Sequence, residues 1–281
     1  MKPIILAFMV CLIAGTLSAE SVILKGETIS ICDDGAEWPP YTYYKRVNGE
    51  KTDELVGYSV DVIREIFDEH GIKFKLKLLP WKRCQSEMAE GEKYQMFLSG
   101  GLNPERIKTY YITQPYYFTK FYYFWSEKHH PNGLNIRTDS LKNALYDLVN
   151  KYKMGNILGY GMGIYKKHNI SISKVDFGAM DYKALAQKLR LGRIDVFYES
   201  LEILAGYQSI GTADILNDPE FKSAVIPGIT PRGYQFMITK NHKYGLALRN
   251  LIDQEITLMR ATGRLDELLK KYIKKSEPLF N

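Results

Sequence analysis

Leu98-Ser99-Gly100-Gly101-Leu102-Asn103-Pro104-Glu105-Arg106 carries an apolar β-like run into a Gly-Gly turn and then into a helix start whose first turn holds an arginine. Upstream, Trp38-Pro39-Pro40-Tyr41 forms a stiff aromatic loop after another β-like run, Glu27 to Ile31, which ends at Cys32. Between them, Val60, Ile63, Ile66 and Phe67 recur at helical spacing, with Gly71 as a stop. A second strand spans Lys73 to Leu79, Pro80-Trp81 opens a short helix through Met88, and Tyr94 to Leu98 forms a third strand. The order is β-α-β-α-β, which places the aromatic loop and Arg106 at one rim, where open α/β sheets hold ligands. A guanidinium there offers a planar fork that matches a carboxylate.

The alternation continues downstream. Tyr110 to Trp125 carries nine Tyr or Phe residues and reads as one strand leaving the first lobe. Leu141, Ala144, Leu145 and Leu148 share a helical face, a strand lies near Asn156 to Leu158, and Gly159-Tyr160-Gly161-Met162-Gly163 opens another helix. Asp181 is placed to cap a helix carrying Tyr182, Leu185, Ala186 and Leu189, which Gly192 stops. Ile194 to Tyr198 forms a strand ending at Glu199, and a return strand near Gly233 to Ile238 leads into two helices broken at Gly263.

The first residues read differently. Lys2, the apolar stretch Pro3 to Thr16 and the small-residue site Leu17-Ser18-Ala19 predict a cleavable export signal over 1–19. Its removal deletes Lys2 and takes the net charge from +6 to +5, with no basic stripe of the kind that binds nucleic acid. A 45% apolar composition over this length supports a sizeable core and two lobes. After cleavage only Cys32 and Cys84 remain, in an oxidising compartment if the chain is exported. They can form a disulfide if their strands are neighbours, or stay as two buried thiols. His70, His129, His130, His168 and His242 are scattered without metal-ligand spacing, so no metal or cofactor is expected.

Four motifs in register resemble one family. Gly57-Tyr58-Ser59-Val60-Asp61-Val62, Asn103-Pro104-Glu105-Arg106, Gly192-Arg193-Ile194-Asp195 and Met259-Arg260-Ala261-Thr262-Gly263 are similar to those of the extracellular solute-binding proteins of polar amino-acid ABC transporters (family 3). The resemblance implies a two-lobed α/β fold of the periplasmic-binding-protein type II, with two crossover strands around Tyr116 to Ser126 and Pro227 to Thr239. Lobe 1 would be 20–124 with 233–281, and lobe 2 would be 125–232. It further implies a periplasmic, non-enzymatic monomer that passes a small carboxylated, amino-acid-like ligand to an ABC transporter permease.

By the same resemblance Arg106 holds the ligand carboxylate and an aromatic near Trp38 and Tyr41 stacks on the ligand. Asp34 takes its amino group, with Asp33 and Glu37 as alternatives. Glu199, one residue early against the commoner pattern, would supply an acid from the second lobe. The backbone of Gly161, Met162 and Gly163 would meet the carboxylate. Ser99, Gly100 and Gly101 replace a stretch that often holds hydroxyls and is one residue longer, so an ordinary α-amino acid fits this turn less well. Trp81 and Tyr198 are expected to line the cleft with rings. Two other readings stand beside this one: a lyase on the same fold, like the cyclohexadienyl dehydratases, with Glu199 as acid, and a sensor feeding a membrane receptor.

Overall fold

The computed structural model describes residues 19–158 and 160–273. The expected export signal therefore lies outside the described residues, except for Ala19, which begins helix α1 (Ala19–Leu24). The first lobe continues with β1 (Thr28–Asp34), a hairpin of β2 (Tyr43–Val47) and β3 (Glu50–Val56), α2 (Tyr58–Glu69) and β4 (Lys73–Leu79). Next come α3 (Trp81–Glu90), β5 (Met96–Gly101), α4 (Pro104–Thr109), β6 (Tyr110–Ile112) and β7 (Tyr117–Thr119). The second lobe holds β8 (Phe121–Ser126), α5 (Leu141–Asn150), β9 (Gly155–Ile157), α6 (Gly163–Lys167), β10 (Asp176–Ala179) and α7 (Tyr182–Arg190). It ends with β11 (Phe197–Ser200), α8 (Leu201–Ser209) and β12 (Phe221–Val225) before β13 (Arg232–Thr239), α9 (Gly245–Ala261) and α10 (Arg264–Lys270) return to the first lobe.

The first sheet is six-stranded, in the order β4-β1-β5-β13-β6 with β7 also on β13. Strands β4, β1 and β5 are parallel, so their carboxyl ends share one edge, while β13 runs antiparallel to β5 with Tyr234 opposite Gly101 and Gln235 opposite Gly100. In the second lobe β11 and β12 flank β8 antiparallel, and β9 pairs with β10 in parallel. The chain thus changes sheets at Lys120 and again between Val225 and Arg232. The aromatic run from Tyr110 to Trp125, expected as one strand, is split into three. Pro115 cannot donate a ladder hydrogen bond, and Lys120 sits where the chain leaves one sheet for the other.

Local chemistry explains several boundaries. Asp181 accepts from the Ala184 amide and caps α7, as its spacing predicts. Asn103 does the same for α4 from the Arg106 amide at 2.8 Å, with Pro104 at the first helical position. Gly57 precedes α2 with φ 130°, and a Cβ there would lie 2.3 Å from the Tyr41 carbonyl oxygen. That approach lets the amides of Tyr58 and Ser59 donate to the carbonyls of Pro40 and Tyr41, so the aromatic loop is fixed to the head of α2.

Cys32, in β1, and Cys84, in α3, are joined as a disulfide with Cα atoms 5.8 Å apart, in a small cluster with Leu79, Met88, Phe97 and Met237. The bond ties α3 to the sheet next to the edge where the strands end. A bridge across this sequence separation of 52 constrains the unfolded chain, so Cys32→Ser with Cys84→Ser is expected to cost about 2–4 kcal/mol. Urea denaturation reads this as a lower midpoint with a steeper slope, since the unbridged unfolded chain exposes more surface; an unchanged midpoint would show that the bridge adds no stability.

Candidate ligand-binding site

Arg106 sits in the first turn of α4, directly after the end of β5. Its Nη1 donates to the Gly101 carbonyl at 2.8 Å and its Nη2 reaches Gln85 Oε1 at 3.4 Å. The guanidinium lies over the rings of Trp81 and Phe97, 5.4 and 5.5 Å from their centroids. Trp81 thus holds the arginine in place from below. Arg106 Nε is buried without a hydrogen-bond partner among the described residues. Burial pulls the guanidinium below its usual range, and the positive charge of Arg232 adds to the effect. A charged group buried with a free donor is unfavourable until an acceptor arrives.

At the end of β1 the sequence leaves Asp33, Asp34 and Glu37 as alternatives, and their surroundings differ. Glu37 makes a two-bond ion pair with Arg46 at 2.9 and 2.8 Å and accepts from the Tyr44 amide, so its carboxylate is occupied. Asp34, half-buried, accepts from the Ala36 amide at 3.0 Å and closes a local turn. Asp33 is 2% exposed; its Oδ1 accepts from the Asp34 amide at 3.0 Å, and its Oδ2 has no partner among the described residues. Burial pushes the Asp33 carboxyl up to about 7, against the pull of Arg106. Asp33 and Asp34 each keep one oxygen for a ligand donor; Asp33 is the more buried, while Asp34, also raised by burial, is within charge reach of Tyr160 and Tyr207.

The second lobe brings a second buried acid group. Glu199 is buried and lies inside β11, which runs from Phe197 to Ser200, later than the expected strand Ile194 to Tyr198. It accepts from the Tyr182 hydroxyl in a short hydrogen bond and from the Ser200 amide at 2.7 Å. Glu202, one turn further along in α8, was not singled out from the sequence. It is 7% exposed, its Oε2 lacks a partner, and burial pushes it up to about 7. No periodic signal marks it, because α8 buries Leu201, Ile203, Leu204 and Gly206 around much of its circumference.

The two lobes meet through aromatic rings and one glycine. Trp38 contacts Tyr160 at 6.1 Å between centroids, and the Tyr207 hydroxyl donates to the Glu37 carbonyl at 3.0 Å. Gly206 packs against the aromatic loop so closely that a Cβ would lie 2.4 Å from the Pro39 carbonyl carbon. Trp38 Nε1 is a further buried donor without a partner. Tyr41, by contrast, is 1% exposed and stacks on Tyr117 at 3.9 Å, so it packs into the core beneath the loop.

The remaining expected residues divide by burial. Ser99 is half-buried, 3.4 Å from Ser59 Oγ and 3.5 Å from the Tyr116 hydroxyl. Gly100 has no room for a side chain, since a Cβ would come within 2.7 Å of Met237 and Phe97. Gly101 packs under the guanidinium of Arg232, a residue not singled out from the sequence. Tyr198 contacts Phe121 and Tyr165, at 5.3 and 5.7 Å. Met162 buries its side chain in the second-lobe core, while Gly161 and Gly163 flank it with open space. Two surface hollows, one between α2 and α10 and one beside Tyr117 and Arg260, lie outside the interlobe gap.

Two α/β lobes joined by two crossovers, with an arginine and unsatisfied buried acids between them, define a clamshell solute-binding protein. Residues 31–275 match the model of the bacterial extracellular solute-binding proteins, family 3, and the chain belongs to that family. It is similar in fold to a protein from Wolinella succinogenes described as the binding component of an ABC transporter and complexed with lysine. The two share 18% identity at a TM-score of 0.67, over 91% of this chain and 99% of that one. It is also similar to AbpA of Streptococcus pneumoniae, an amino-acid ABC transporter substrate-binding protein bound to L-arginine, at 18% identity and TM-score 0.62 over 88% and 94%. A third likeness is to AncCDT-1, an ancestral amino-acid-binding protein described as a precursor of cyclohexadienyl dehydratase, at 20% identity and TM-score 0.62 over 88% and 95%. No curated protein matches significantly by sequence.

The two raised carboxyls set a pH dependence. In the unfolded chain Asp33 and Glu202 ionise near pH 4, whereas in the fold they keep their protons to about 7. Between those values the native state binds more protons than the unfolded state, so stability falls as pH rises. Asp147 works in the opposite sense: although burial opposes it, hydrogen bonds from Arg137 and Lys151 hold its carboxyl low, and its contribution is lost only below about pH 4. The ligand-free protein is therefore expected to melt several degrees higher at about pH 5.5 than at about pH 8. Asp33→Asn with Glu202→Gln should flatten that difference; an equal slope in the double variant would exclude these two groups as its source.

Proposed function

We propose that this family member captures a small carboxylated, amino-acid-like solute between its lobes and presents the closed form to an ABC transporter permease in the periplasm. The observation that carries the reading is Arg106. It is a largely buried guanidinium held by the Gly101 carbonyl and by Trp81, with Nε unspent and within charge reach of Asp33, whose Oδ2 has no partner among the described residues. A ligand carboxylate at Arg106 and a ligand amino group at Asp33 or Glu202 would satisfy these groups. Trp38 and Tyr160 would cover the ligand from the two lobes. Asp34, Trp81, Tyr41 and Met162 shape or support the site from behind, and Glu199, through Tyr182, braces the second-lobe wall. The lobes would rock about Lys120 and the segment between Val225 and Arg232, and the ligand's affinity would depend on how strongly it favours the closed state.

Arg106→Ala is expected to weaken binding of the cognate solute about 10- to 100-fold by calorimetry, the worth of one charge-assisted fork. Arg106→Lys should recover only part of the loss, since an ammonium cannot make the planar two-bond contact. An unchanged affinity in both variants would remove Arg106 from the site.

One observation favours a second reading. Carboxyls at about 7, such as Asp33 and Glu202, suit proton donation to a leaving group at neutral pH, as a lyase needs. Incubation with each solute that shifts the melting temperature, followed by mass analysis, is expected to return the solute unchanged; a dehydrated or decarboxylated product would replace the binding reading with the lyase.

A further inference from the structure

Gly101 is touched by two guanidinium groups. Arg106 donates to its carbonyl at 2.8 Å, and the guanidinium of Arg232 fills the space a side chain would take, its atoms 2.0 to 2.5 Å from the position of a Cβ. The register of β13 on β5 explains the second contact: Tyr234 pairs with Gly101, so Arg232 extends just past the end of β5 at the edge where the parallel strands stop. The Tyr234 ring supports the Arg232 guanidinium at 5.3 Å. Two like charges thus converge on one residue, and the charge of Arg232 adds to the burial that disfavours the charged form of Arg106.

Among the described residues neither guanidinium has a carboxylate in ion-pair contact. Arg106 bonds only a backbone carbonyl and the Gln85 amide, and Arg232 makes no hydrogen bond. The acids within charge reach do not neutralise the pair. Burial pushes the Glu199 carboxyl up toward its neutral form, and Asp33 keeps its proton for part of the time at neutral pH. Arg232 is exposed at the end of its strand and Arg106 is largely buried, and two guanidinium groups this close are relieved by an anion placed between them. Among the described residues none is in contact with either.

Resting on the solute-binding reading above, we infer that Arg232 is a second anion anchor and that the solute carries two acidic groups, one for each guanidinium. The glycine at 101 is what makes room for the second anchor, because any side chain there would displace Arg232. A solute with a cationic side chain would add a third positive charge beside the pair, so this cleft selects against lysine and arginine.

The test is a calorimetric panel on the wild-type protein with the export signal removed. L-glutamate, L-aspartate, glutarate, succinate and O-phospho-L-serine are compared with L-glutamine, L-asparagine, L-lysine and L-arginine. At least one diacid is expected to bind at least about tenfold more tightly than its amide or any cationic amino acid. Arg232→Gln should bring the acid-to-amide ratio close to one, whereas Arg106→Ala should weaken acid and amide together. Tighter binding of an amide or a cationic amino acid, a ratio that survives Arg232→Gln, or no binding by any diacid each overturns the inference. If neutral or cationic amino acids bind in an Arg106-dependent way, the solute-binding reading stands while the second anchor falls. If nothing in either set binds, both fall.

Discussion

The antiparallel pairing of β13 with β5 is the constraint on which the site depends. Strands β4, β1 and β5 are parallel and deliver the aromatic loop, α3 and α4 to one edge. That arrangement alone would give an open α/β sheet. Because β13 comes back from the second lobe and lies against β5, the chain must leave the sheet at Lys120 and re-enter it at Arg232. The whole second lobe is therefore suspended over the carboxyl ends of the strands. The same pairing fixes where Arg232 lands relative to Gly101, so architecture and charge placement share one cause. A one-residue slip of β13 would turn Tyr234 and Gln235 to opposite faces and move Arg232 off Gly101.

Most of the fold was legible in local chemistry. Strand β4 occupies the residues its alternation predicts, Asp181 caps α7, and Gly263 separates α9 from α10 in a left-handed conformation. What escaped was encoded elsewhere. The hairpin of β2 and β3 has charged residues on both faces, which hides its alternation, although Asn48-Gly49, both at positive φ, is the turn signal for it. The short strands β10 and β12 exist only because β9 and β8 are there to pair with them. Helix α8 has no amphipathic stripe, since one side faces its own lobe and Gly206 faces the aromatic loop of the other.

The site was legible to a lesser degree, and the pattern of misses is physical. Arg106 announces itself through the glycine turn and the Asn-Pro cap that precede it. Asp34 and its alternative Asp33 each keep a carboxyl oxygen without a hydrogen bond among the described residues, and the continuous burial of β1 from Ile31 to Asp33 does not choose between them. Arg232 gave no local sign, because its meaning comes from Gly101, more than a hundred residues earlier. Glu202 was hidden by the apolar helix around it. In each case the missing information was which distant segment lies opposite.

The unsatisfied groups also bear on how such a protein avoids closing empty. Closing the lobes brings Trp38 against Tyr160 and Gly206 against Pro39, and burial of apolar surface favours that contact. In this conformation Arg106 Nε, Asp33 Oδ2 and Glu202 Oε2 are enclosed without partners among the described residues, each at a desolvation cost of about 1–3 kcal/mol or more for a charged group. The two terms act in opposite directions. A solute that fills the polar positions leaves the apolar contact uncompensated and shifts the population toward closure by the amount it removes from the polar penalty. Specificity and conformational switching then arise from one set of atoms, and improving the pocket for an empty closed state would weaken its response to the solute.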